Sequence, residues 1–154
     1  ILSGPEPQRG ILEEKLTEEV KRFKGKVVFI KGIIEKTQVK GIVGNVTFYN
    51  FMNTRQLEQT FNESEYVLCR SGYTTIMDLV KLGKKAFFIP TPGQYEQEYL
   101  AVKLDQEHIV PFANQEDFTI EMLSKIADYK GLSEMDTTID WEELFEVFQT
   151  NKNR

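Results

Sequence analysis

Tyr66-Val67-Leu68-Cys69-Arg70-Ser71-Gly72-Tyr73-Thr74-Thr75-Ile76-Met77-Asp78-Leu79-Val80-Lys81-Leu82-Gly83-Lys84-Lys85-Ala86-Phe87-Phe88-Ile89-Pro90 decides the fold. Tyr66–Cys69 is an apolar run of strand length. Residues 73–82 place Ile76, Leu79 and Val80 on one helical face, and Gly83 stops that helix. Ala86–Ile89 is a second strand-like run, ended by Pro90 and Pro92. Strand, helix and strand in this order make a β/α unit, whose economical packing is a parallel sheet covered by helices.

The same alternation extends in both directions. Toward the N-terminus, Val27–Ile30 and Val46–Tyr49 read as strands, and helices are expected over residues 11–24 and 54–63. Residues 32–44, with three glycines, read as a loop or ragged hairpin. Toward the C-terminus, a helix is expected over 95–106, a short strand over Ile109–Phe112 and another helix over 115–127. Trp141, Leu144, Phe145 and Phe148 recur at i, i+3, i+4 and i+7 in a last helix at about 140–150, with Asp140 and Glu143 as its capping pair. Such a stripe packs on its own domain or, if left uncovered, forms a dimer surface. The expected architecture is a Rossmann-like three-layer α/β domain with a mostly parallel sheet of about six strands and helices on both faces. Residues 1–154 form one domain, in keeping with the usual domain size.

Composition narrows the function. The chain has 19 Lys plus Arg against 24 Asp plus Glu, a net charge of −5, which disfavours nucleic acid as a partner. Its single cysteine, Cys69, excludes an intrachain disulfide and a multi-cysteine zinc site, and reads as a buried structural residue. Its single histidine, His108, excludes His-rich metal centres and reads as a surface residue. No apolar run approaches the ~18 residues of a membrane span. Ile1-Leu2-Ser3-Gly4-Pro5 has no initiator Met and no apolar leader, and is expected to be the end of a strand inside a longer protein.

In open α/β sheets ligands bind at the rim formed by the carboxyl ends of the strands. Three rim loops carry chemistry. In Cys69–Asp78 the free N–H groups of the first helical turn suit an anion. Thr74, Thr75 and Asp78 share a helical face, so a carboxylate there can hold a ribose diol. On spacing alone, a capping box formed by Thr75 and Asp78, with Asp favoured near a helix start, is the stronger reading of the same residues. Pro90–Glu98 offers Gln94, Glu96 and Gln97, which can bond sugar hydroxyls or simply form a polar loop. Ser3–Gly10 contains two prolines, which remove N–H donors, so it is a poor phosphate loop and a poor dinucleotide fingerprint, though Arg9 sits at a helix start. No Asp-x-Asp pair is present to hold a metal on a diphosphate, so metal-independent chemistry with no cofactor is the expectation.

Taken together, Cys69-Arg70-Ser71-Gly72-x-x-Thr75-x-x-Asp78, then Leu82-Gly83, Ile89-Pro90 and Gln97 ahead of Leu100-Ala101 resemble the C-terminal half of glycosyltransferase family 28, in its MurG-like members. Ser3–Arg9 also resembles the first loop of bacterial members. The similarity runs over roughly residues 1–127. It implies a GT-B enzyme, with two Rossmann-like domains, of which this one binds a nucleotide diphosphate sugar, commonly a UDP-sugar. It implies that Asp78 holds the ribose, that Phe48 and Tyr49 line the base largely through backbone groups, and that Ser71, Gly72 and Tyr73, with Thr74 and Thr75, lie by the phosphates or sugar. Gln97 would contact the donor sugar with Glu96 beside it. Arg70 or Arg9 would stabilise the leaving diphosphate.

The resemblance further implies that the acceptor and the general base belong to an N-terminal domain, so no catalytic residue is expected in this chain and donor binding without turnover is. A cytoplasmic location, peripheral at the inner membrane face, goes with it. Three departures from the family pattern stand out. Asp78 replaces a usual Glu, Glu96 stands where a Gln is usual, and the first loop has prolines instead of glycines and a serine. Two other readings keep the fold: a stand-alone donor-binding subunit of a split glycosyltransferase, or a nucleotide-sugar epimerase. A receiver or flavodoxin-like module would need an acidic or hydroxyl-rich loop at the first strand, and Gly4–Arg9 has neither.

Overall fold

The computed structural model describes residues 1–33 and 35–132. The helix expected at about 140–150, and any dimer surface on it, lies outside the described residues. Helix α1 (Gln8–Glu19) runs into a 3-10 turn at Val20–Arg22. Strand β1 (Val27–Ile30), the hairpin β2 (Lys40–Val43) and β3 (Val46–Tyr49), helix α2 (Thr54–Glu63), β4 (Tyr66–Cys69), α3 (Tyr73–Lys81), β5 (Lys85–Phe88) and α4 (Tyr95–Gln106) follow, and a 3-10 helix spans Ile120–Asp128.

The strands form two ladders. One has the order β1-β3-β2, with β1 and β3 parallel and β2 antiparallel to β3; the other pairs β4 and β5 in parallel. The backbone at Ile1 and Leu2 lies between them. The Leu2 N–H donates to the Ile30 carbonyl at 2.9 Å and the Ile1 nitrogen to the Leu68 carbonyl at 2.9 Å. On the outer side of β5, Phe112 forms a single parallel bridge with Phe88. The regular sheet is thus smaller than six strands. The expected strand at Ile109–Phe112 shrinks to one bridge around Pro111, which has no N–H to donate but whose carbonyl accepts from Phe88 at 3.0 Å.

Alternation along the strands builds two cores. Val67, Cys69, Ala86 and Phe88 face a cluster with Phe61 of α2, Ile76 and Leu79 of α3, and Leu100, Ala101 and Leu104 of α4. Phe87, Ile89 and Phe29 face the other cluster, with Leu12 and Leu16 of α1 and Phe118, Ile120, Leu123 and Ile126. Helices on both faces of parallel pairs make the domain α/β and Rossmann-like. The α2 start is fixed by a capping box: the Asn53 side chain accepts from the Gln56 N–H at 2.9 Å, and Gln56 Oε1 accepts from the Asn53 N–H at 3.1 Å.

The helix expected over 115–127 is instead the 3-10 helix at 120–128. Its buried residues, Ile120, Leu123 and Ile126, recur every three positions, the period that puts side chains in register on a 3-10 helix. The buried Glu19 carboxylate accepts from the Ile120 N–H at 2.7 Å and ties that helix to α1.

A cleft of about 830 Å³ runs along the seam between β1 and β4, lined by Ile1, Leu2, Val27, Val28, Tyr66 and Val67 among others. No residue of the 69–75 or 90–97 loops lines it. Gly32 closes the rim end of the same seam. Its φ is +68°, and a Cβ there would lie 2.4 Å from the Leu2 carbonyl oxygen. The backbone cannot yield at that point as a flexible side chain would. Gly32→Ala is expected to lower the unfolding free energy by at least about 1–2 kcal/mol, from the left-handed backbone alone, read as a lower denaturation midpoint at unchanged slope. An unchanged midpoint would show that the close approach is not needed.

Candidate functional site

Arg70 follows the last residue of β4 and turns inward. It is 1% exposed, although it is the longest side chain in the loop. Nη1 donates to the Ile89 carbonyl at 3.1 Å and the Pro90 carbonyl at 2.9 Å. Nη2 donates to the Gln8 carbonyl at 3.2 Å and to Gln115 Oε1 at 2.7 Å. Gln115 Nε2 in turn donates to Gln8 Oε1 at 3.0 Å. One guanidinium therefore joins the start of α1, the end of β5 and the loop after Phe112. Among the described residues no carboxylate pairs with it and its Nε is buried without a hydrogen-bond partner, and burial pushes its pKa down to about 10. Arg70 thus lies beneath the rim, and its Nη donors are spent on protein oxygens instead of facing a phosphate.

The next residues lock the two central loops together. Ser71, fully buried, donates its hydroxyl to the Gln97 carbonyl at 2.7 Å. Gln97 Oε1 accepts from the Thr91 N–H at 2.9 Å, and its Nε2 donates to Gln94. Glu98 accepts from the Gly93 N–H at 2.8 Å. The Gln97 side chain therefore braces its own loop, while Glu96, one position before it, is exposed on the first turn of α4.

Helix α3 begins at Tyr73 directly after Gly72, without any side-chain cap. Thr75 and Asp78 thus lie inside the helix and do not form the capping box that their spacing allowed. A Cβ at Gly72 would meet nothing within 4 Å. Thr74 and Asp78 are exposed on the helix that follows, with Thr75 half-buried.

Arg9 stands at the start of α1, as expected, but within a network the sequence did not suggest. Nε donates to Glu6 Oε1 at 2.6 Å; Nη1 donates to Glu13 Oε2 at 2.6 Å and to the Lys31 carbonyl at 3.1 Å. Lys31 Nζ pairs with Glu13 at 2.9 Å and stands 6.0 Å over the Phe48 ring. The Glu13 hydrogen bond heads the causes that raise the Arg9 pKa. Burial pushes Glu13 upward, but Lys31 and Arg9 outweigh it and hold its carboxyl below the usual value.

Phe48 and Tyr49 end β3, which lies between β1 and β2. The backbone groups of both residues belong to those ladders, as where the Lys31 N–H donates to the Tyr49 carbonyl at 2.8 Å. Both rings are half-buried, and Lys40 stands 5.6 Å over the Tyr49 ring. Cys69 is buried and its thiol is pushed up to about 12 by burial, so it carries no thiolate; His108 is exposed on the surface, within hydrogen-bond distance of the Asp105 carbonyl at 3.2 Å. Among the described residues, no three His, Cys, Asp or Glu side chains gather as a metal-binding group.

Comparison with known proteins bears on this rim. The model of the glycosyltransferase family 28 C-terminal domain matches residues 8–133. A UDP-N-acetylglucosamine--N-acetylmuramyl-(pentapeptide) pyrophosphoryl-undecaprenol N-acetylglucosamine transferase from Glaesserella parasuis serovar 5 is 29% identical over 140 residues, covering 83% of this chain and 39% of that protein. Proteins of the same name from Actinobacillus pleuropneumoniae serotype 5b and Haemophilus ducreyi are 28% and 29% identical over 147 residues, each covering 88% of this chain and 41% and 40% of their own length. The chain thus spans about two fifths of the length of the curated relatives it matches. No solved structure matches it.

Two outcomes test the network. Arg70→Lys supplies a point charge that cannot reproduce four fixed bonds, and is expected to lower the unfolding free energy by about 1–3 kcal/mol through carbonyls left unpaired; a variant as stable as the parent would contradict the joining role. Glu13, with its folded pKa below 4.5, contributes stability that is complete above that value and is lost as pH falls through its folded pKa. The stability difference between the parent and Glu13→Gln should therefore shrink as the solution is acidified below 4.5, measured by denaturation across that range. A constant difference would show that the ion pairs are not felt.

Proposed function

The chain belongs to glycosyltransferase family 28, as its C-terminal domain, and from that premise we propose that it binds the nucleotide diphosphate sugar donor, a UDP-sugar, of a hexosyltransferase. The observation that carries this reading is the start of α3. Helix α3 starts without a side-chain cap, a Cβ on Gly72 before it would meet nothing within 4 Å among the described residues, and the exposed Thr74 and Asp78 follow within two turns. The N–H groups and the helix dipole suit the diphosphate. The Asp78 carboxylate accepts from the two ribose hydroxyls; it is one methylene shorter than a Glu, so the ribose sits close to the helix. Tyr73 and Thr75 flank the phosphates, Glu96 and Gln97 meet the sugar, and the rings of Phe48 and Tyr49 receive the base. Arg70 positions the loops and contributes its buried positive charge to the field at the diphosphate, without touching it.

The acceptor and the general base come from a further domain of the longer protein, the transfer needs no metal, and the protein works at the cytoplasmic face of a membrane. Among the described residues no helix is long and apolar enough to cross one. Calorimetric titration with uridine diphosphate and its 2′-deoxy analogue tests the reading. The ribose form is expected to bind more tightly, and Asp78→Ala to weaken it by about 1–3 kcal/mol and the deoxy form, which keeps one of the two hydroxyls, by less. Equal affinity of the two ligands for the parent chain, or an Asp78→Ala variant that still discriminates them, would refute it.

A further inference from the structure

Two strand edges face each other across the cleft between β1 and β4. Along a strand, the N–H and C=O of one residue point to one side and those of the next residue to the other. The Val27 N–H donates to the Asn45 carbonyl and the Lys31 N–H to the Tyr49 carbonyl, so Val27, Phe29 and Lys31 turn toward β3. Val28 and Ile30 therefore turn their backbone groups toward the cleft. On the other wall, the Cys69 carbonyl accepts from the Ile89 N–H beyond β5, which leaves Tyr66 and Leu68 facing the cleft. Val28 is 42% exposed although it lies in a parallel ladder.

At its rim end the cleft is one strand wide. Ile1 and Leu2 are consecutive, yet the Ile1 nitrogen reaches the Leu68 carbonyl on one wall and the Leu2 N–H the Ile30 carbonyl on the other, both at 2.9 Å. From Leu2 the chain leaves toward the rim and α1, in the direction of β1 and β4. Traced backwards, the same line runs down the cleft past Val28 and Tyr66. Both faces along that line are apolar: Ile1 packs on the cluster that holds Phe61, and Leu2 belongs to the cluster of Leu16, Val20 and Leu123. All of these line the cleft. The Ile1 nitrogen is buried, and burial pulls its pKa below the usual amino-terminal value. An uncharged amide nitrogen at the same place carries no such cost. The curated relatives are much longer than the stretch they share with this chain, which leaves polypeptide to supply one.

We propose that the cleft is a slot for one extended strand, and that its occupant is the stretch of about four residues joined to the N-terminal side of Ile1 in the longer protein. Four residues is the length of both β1 and β4. The inserted strand runs parallel to both walls and bonds to Val28 and Ile30 on one side and to Tyr66 and Leu68 on the other. The three-stranded and two-stranded ladders thereby become one six-stranded sheet. Two open edges facing each other are a template for such pairing. A strand covered on both faces is apolar throughout and does not alternate. Continuity with Ile1 selects this segment over a strand from another molecule, which would have to end where Ile1 begins. The inference stands apart from the donor reading, because it uses no ligand contact. It also gives the first rim loop and α1 a firm root, since both follow directly from the end of this strand.

Amide hydrogen exchange, followed residue by residue in the longer protein and in the 1–154 chain, tests the slot. The N–H groups of Val28, Ile30, Tyr66 and Leu68 are expected to exchange slowly in the longer protein and fast in the 1–154 chain. Those of Phe29 and Val67, which face β3 and β5, are expected to be slow in both. Fast exchange of the first four in the longer protein overturns the proposal. Slow exchange of the same four in the 1–154 chain overturns it too, and slowing only at high concentration would assign the slot to a second copy. Where the 1–154 chain exchanges fast throughout, the longer protein decides alone. A proline two residues before Ile1 removes the N–H that reaches the Tyr66 carbonyl; it is expected to speed exchange at Tyr66 and Leu68 and to lower the denaturation midpoint. An unchanged midpoint and unchanged exchange in that variant, or a charged residue at either of the two positions before Ile1, contradicts the strand.

Discussion

A buried, unpaired positive charge holds the rim of this domain together. Placing the Arg70 guanidinium out of water, with no carboxylate paired to it among the described residues, is costly, and four protein oxygens facing its Nη atoms offset that cost. Those oxygens come from three different loops. The cost buys registration: the start of α1, the exit of β5 and the loop after Phe112 cannot move independently while the guanidinium stays in place. Ser71, beside it, adds the tie to Gln97. The loops after β4 and β5 and the start of α1 are therefore joined from beneath by these two residues.

This arrangement divides labour between two kinds of basic residue. Arg70 is inside and organises; Arg9 is near the surface and is neutralised by Glu6 and Glu13. A domain with a net charge of −5 does not attract an anion by its overall field. On the proposed donor reading, affinity for a diphosphate comes from a few placed donors such as the start of α3 rather than from that field. Lys31, paired with Glu13 and standing over Phe48, links α1 to the ring at the end of β3.

Much of the fold could be read from local pattern. Apolar runs bounded by glycine or proline located β1, β3, β4 and β5 to within a residue, and helical spacing located α2, α3 and α4. What escaped depended on distant partners. Ile1 and Leu2 join the two ladders through bonds to Leu68 and Ile30, which no local periodicity reveals. The 3-10 form of residues 120–128 was hidden because a three-residue apolar period is easily taken for a helical one. At the rim, the positions of Arg9, Asp78 and Gln97 on the start of α1, on α3 and on α4 followed from the local pattern. Gln8 and Gln115 were not, since their bond spans 107 positions. Sequence also misplaced the working end of Arg70: an arginine at a strand exit suggests a ligand contact, and only packing reveals that it points inward. The backbone of Phe48 and Tyr49 is likewise claimed by strand pairing on both sides, which the sequence does not disclose.

The most direct measurement is backbone chemical-shift mapping during a titration with uridine diphosphate. Saturable shifts that follow one affinity at Arg9–Gly10, Gly72–Asp78 and Gln94–Gln97 are expected, because these segments form a single rim joined through Arg70. Shifts confined to the seam between β1 and β4, or rim segments that respond with unrelated affinities, would contradict a single donor site built on that buried charge.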